Sequence, residues 1–101
     1  MYRALVTVST PSVKLLGASR LRTEAENLRR SMTVYGAKAE FGSHHRDPGI
    51  WVEAPDRAEF MRALAWGAAV GSMTGWRLTA VCANQESYEA ASATNGVAAT
   101  R

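Results

Sequence analysis

The side chains whose types could do chemistry gather in one short run, His44-His45-Arg46-Asp47, with Cys82 and the tryptophans Trp51, Trp66 and Trp76 elsewhere in the chain. Two imidazoles and a carboxylate are raw material for a metal site or for general acid–base work. Adjacent histidines on an extended chain point to opposite sides, so one ion would draw on only one of them, and the chain holds neither a third histidine nor a second cysteine. The run therefore reads as a polar hairpin tip, with no metal and no cofactor expected. No glycine-rich phosphate loop, nucleophile elbow or acid pair set by spacing is present. The expectation is a protein without chemistry of its own.

Elements must then position the tryptophans, and the stretch from Gly49 to Gly75 holds two of them. Ile50-Trp51-Val52-Glu53 reads as a strand. Pro55, which lacks an N–H and presets φ, suits the first turn of a helix running from Asp56 to about Val70, with Asp56 and Glu59 placing negative charge at its N-terminus. Phe60, Met61, Leu64, Ala65 and Ala68 recur at helical spacing and predict the buried face. Trp66, Val70 and Met73 fall outside that stripe, so the C-terminal half of the helix is apolar nearly all round.

The totals set bounds. A chain of 101 residues fits one domain able to bury a core without metals or disulfides. A single cysteine excludes an intrachain disulfide and points to the cytoplasm. No export signal precedes the first strand, and the apolar run around Ala63 to Val70 is far short of the ~20 residues of a membrane span. The net charge of +3 is weaker than the basic stripe of a dedicated DNA binder. Arginine outnumbers lysine and alanine is abundant, which points to a GC-rich coding sequence in a bacterium or one of its phages.

Taken in order, Tyr2 to Ser9 alternates as a first strand, ended by Thr10-Pro11-Ser12. Residues 13 to 17 fit a loop, a helical turn or an extra strand. From Ser19, Leu21, Ala25, Leu28 and Met32 mark a one-faced helix stopped by Gly36 after Tyr35, with Arg22, Glu26, Arg29 and Arg30 outside. Ala37 to Phe41 and Ile50 to Ala54 form a hairpin, and Gly75 to Ala83 a fourth strand. Residues 1 to 84 thus form the domain. Residues 85 to 101, poor in large side chains, read as a disordered tail, helical at most as far as Ala91.

The order strand, helix, strand, strand, helix, strand resembles the ferredoxin-like architecture, an α+β fold whose four-stranded antiparallel sheet carries two helices on one face. In that arrangement Ala4, Val6, Val8, Phe41, Val52, Leu78 and Ala80 face the helices, and Arg3, Leu5, Thr7, Trp51, Glu53, Arg77, Thr79 and Val81 line the open face. Two binding surfaces follow. One is Arg3, Leu5, Trp51, Arg77 and Val81 on the sheet; the other is a ridge of Arg62, Trp66, Val70 and Met73. Each also has a plainer reading: the loop after strand one or the tail folding over the sheet, and Trp66 lying flat on its helix.

The expected function is a small regulator or inhibitor that binds another protein, a host factor if the source is a phage, or binds itself as a homodimer. The alternative is single-stranded nucleic acid stacking on Trp51 beside Arg3 and Arg77, with Arg22, Arg29 and Arg30 as phosphate contacts. The RNA-recognition module shares the strand order, but its signature is replaced here by Gly-Ile-Trp-Val-Glu. A third reading is a small enzyme similar to the dimeric ferredoxin-like barrels, whose pockets between helix and sheet use aromatic and histidine residues.

Overall fold

A computed structural model describes residues 1–9, 18–34, 36–44 and 47–101. The described residues form strand β1 (Tyr2–Ser9), helix α1 (Ala18–Ser31), strands β2 (Lys38–His44) and β3 (Asp47–Ala54), helix α2 (Arg57–Met73), strand β4 (Arg77–Cys82), helix α3 (Gln85–Ser92) and strand β5 (Val97–Thr100). The segment of uncertain reading after strand one, Tyr35, His45 and Arg46 lie outside the described residues.

The fold is α+β, with a five-stranded mixed sheet in the order β2-β3-β1-β4-β5. The first four strands pair antiparallel, while β5 joins β4 in parallel. This corrects the expected sheet of four antiparallel strands under two helices. The residues read as a disordered tail supply both the third helix and the fifth strand.

Period-two alternation decides which side chains meet the helices. Ala4, Val6, Val52, Leu78 and Ala80 do so as expected, joined by Ala39, Ile50, Ala54 and Cys82, and they pack with Leu28 and Met32 of α1, Phe60, Ala63 and Leu64 of α2, and Ala90 and Ala91 of α3. Tyr2 stacks obliquely on Phe60, ring centres 5.7 Å apart. Val8, at the end of β1, and Phe41, on the outermost strand, share that side but stay exposed, Phe41 at 55%.

Helix α2 starts one step later than Pro55 suggests. Asp56 is the N-cap, extended in backbone, and its carboxylate accepts the Glu59 N–H at 2.8 Å. Asp56→Ala should therefore lower stability by about 1 kcal/mol in chemical denaturation, the usual cost of a lost cap. The helix also runs on to Met73, and its buried face is Phe60, Ala63, Leu64, Gly67 and Gly71, leaving Ala65 exposed. Hydropathy alone misses this rotation. A Cβ on Gly67 would come within 2.8 Å of the Met32 side chain, so the bare backbone there is what lets α1 close on α2.

The C-terminal residues are held by specific bonds. Asn84 caps α3 by accepting the Ser87 N–H at 2.9 Å and donates to the Met1 carbonyl at 3.1 Å. Ser87, fully buried, accepts the Arg3 N–H at 2.8 Å, and Thr94 donates to the Ala90 carbonyl at 2.9 Å. Arg101 reaches back to Gln85 at 2.8 Å.

Candidate protein-binding surfaces

The sheet face away from the helices carries rows fixed by strand register. Lys38, Glu53 and Arg3 stand side by side, and so do Glu40, Trp51, Leu5, Val81 and Thr100. The expected greasy patch is much reduced. Leu5, read as a contact residue, is wholly buried: the space beside it that a Cβ on Gly49 would need is taken by its own Cγ and Cδ1, 3.0 Å away. It has no surface to offer a partner.

Trp51 is only half-exposed. Its indole lies across Gly42, where a Cβ would meet its Cδ1 at 2.4 Å, and the Arg3 guanidinium stacks over the ring at 4.0 Å from the centroid. The cation covers one ring face, so a nucleobase stacking there must displace Arg3, a contact worth ~0.5–1 kcal/mol at a surface. Arg77 is exposed and Val81 half-buried on the same face.

Two arginines of α1, Arg29 and Arg30, are engaged in structure. Glu26 receives Arg29 through both carboxylate oxygens, Nε to Oε2 at 2.9 Å, and Arg30 Nε at 3.2 Å. Arg29 also donates to the Ala39 carbonyl at 3.2 Å, tying α1 to β2, whereas Arg22 is simply exposed. Of the i,i+4 spacing from Arg22 through Glu26 to Arg30, the Glu26–Arg30 pair forms, and Arg29, one turn from Glu26, adds a bidentate one. The Arg29 hydrogen bond brings the Glu26 carboxyl down to about 2, against the opposing effect of partial burial. A depressed carboxyl stabilises the fold above its unfolded range and loses that contribution as pH falls through the folded value. Glu26→Gln should thus be less stable than the parent at pH 7, and the two melting temperatures should converge as the medium is acidified toward pH 2.

The second surface is built by the packing of α1 against α2. Trp66 is 45% exposed and Met73 85% exposed, Val70 is half-buried beside them, and Arg62 lies one turn before Trp66 on the outward side. All four predicted ridge residues therefore sit together on or beside one helix face. Between that face and α1 opens a cleft of about 150 Å³ lined mainly by apolar atoms, with Leu28, Val70, Gly71, Met73 and Trp76 as walls and Glu24, Asn27 and Thr74 as polar contributors. Sequence reading missed the α1 side of this cleft. Glu24 and Asn27 look like an ordinary solvated face, and only the antiparallel packing of the helices brings them to Thr74. Trp76 is 5% exposed and, among the described residues, its indole N–H has no hydrogen-bond partner.

Among the described residues the chemical candidates do not converge. His44 pairs with Asp47 in the backbone ladder, and no group of three or more His, Cys, Asp or Glu that could hold a metal occurs among the described residues. Cys82 is buried; desolvation pushes its thiol up, so it is a poor nucleophile. No described helix is long and apolar enough to cross a membrane. Comparison with protein families, with curated proteins and with solved structures finds no match.

Proposed function

We propose that the chain is a non-enzymatic regulator or inhibitor that acts by binding a protein in the cytoplasm, on a ferredoxin-like core extended by α3 and β5. The observation that carries this reading is the outward face of α2. A helix apolar nearly all round is normally enclosed, yet Trp66 and Met73 stand in solvent beside an apolar cleft. Trp is prominent among interface hot spots, and Met adapts to irregular partner surfaces. The open sheet face supports the reading less, because Leu5 is buried and Trp51 is already covered by Arg3.

The test is capture of a defined partner by the parent chain and by Trp66→Ala, repeated across about 50 to 200 mM salt. Loss of capture with Trp66→Ala and little salt dependence is the expected result. Binding that survives Trp66→Ala but falls steeply with salt would overturn the reading in favour of nucleic acid. A phage origin, with a host protein as the target, belongs to the same proposal and rests on composition alone.

A further inference from the structure

We propose that the occupant of the α2 face is a second copy of this chain, the two α2 helices crossing antiparallel about a twofold axis beside Ala69. This rests on the reading that the face is an interface, and it names the partner. At ~100° per residue, Arg62, Ala65, Ala69 and Met73 point away from the sheet and Trp66 flanks them on the α1 side; all five are exposed.

About an axis at Ala69, a residue a given number of places before Ala69 meets one about as many places after it in the other copy. Trp66 then lies against Met73 of the second copy, and Met73 against its Trp66. These are two symmetry-related sulfur–aromatic contacts. The small side chains of Ala65 and Ala69 allow the axes to approach to ~8 Å.

Charge agrees with this pairing. Two turns before Ala69, Arg62 comes opposite the end of the other α2, where Thr74 closes the helix and Glu24 lines the cleft. The last turn of α2 contains no basic residue, so its negative dipole end has no cation from its own helix. Arg62 of the second copy brings one there, and the stripe from Arg62 to Met73 sets no like charges against each other. An interface built on one 17-residue helix, ~25 Å long, falls below the ~800 Å² per partner of a standard complex, so a weak, micromolar dimer is expected.

The experiment uses the full chain in sedimentation equilibrium from about 5 to 500 µM, with reporters that each add one surface cysteine read under mild oxidation. Because Cys82 is buried, an introduced surface thiol is the accessible one. Ala69→Cys, next to the axis, should give a disulfide-linked dimer as the main product, whereas Ser92→Cys, exposed on α3, should stay at background. The parent mass should double with concentration, and Trp66→Ala should weaken the dimer about tenfold or more. A chain that keeps the monomer mass throughout, with Ala69→Cys linking no faster than Ser92→Cys, overturns the dimer. If Trp66→Ala nonetheless abolishes capture of a defined partner, the binding face stands and its occupant is a different protein. A dimer indifferent to Trp66→Ala, with Ala69→Cys unlinked, assembles elsewhere and overturns the proposal equally.

Discussion

A chain ended after Asn84 is expected to lose its cooperative thermal transition. The cut removes Ala90 and Ala91, both wholly buried, and strips the cover that Tyr88, Val97 and Ala99 give the core. It also deletes Ser87, leaving the Arg3 N–H without its acceptor, and turns β4 from an inner strand into an edge. Lost apolar burial and hydrogen bonding together come to about 5 kcal/mol or more, comparable with the whole stability of a small domain. Circular dichroism on heating checks it. An unchanged melting temperature would restore the reading of these residues as a tail.

The second large effect concerns binding. Trp66→Ala should leave the melting temperature nearly unchanged, since a half-exposed side chain contributes about 1 kcal/mol or less to folding. It should nevertheless weaken association with a defined partner by about 2 kcal/mol, close to thirtyfold, as loss of a central aromatic anchor does. Trp51→Ala should behave the opposite way: its indole fills the space over Gly42 and under Arg3, so its removal costs stability and spares affinity. Calorimetric titration beside thermal melts separates the two. Equal affinity for the parent and Trp66→Ala would remove the α2 face from the proposed function.

Several features were legible before any coordinates. The alternation from Tyr2 to Ser9 marks β1 to the residue and Asp56 lies at the start of α2; Gly36 carries the expected positive φ, but α1 already ends at Ser31, short of the stop read at Gly36. These depend on interactions within a few residues, which is why pattern and capping chemistry reveal them. The ridge of Trp66, Val70 and Met73 was visible for the same reason: one helix advances ~100° per residue whatever surrounds it.

What only the tertiary structure decided depends on contacts between distant parts of the chain. Ser87 meets Arg3 and Gly96 meets Ala68, so residues that read as a disordered tail close the fold through small side chains able to approach closely. Leu5 is buried with its side chain in the space a Cβ on Gly49 would need, and Trp51 is covered because Arg3, diagonal to it across the ladder, stacks over the ring. The amino-acid order sets each residue's face and spacing. Whether that face is wet is decided by what the rest of the chain brings against it, because burial belongs to the packed assembly and not to the segment.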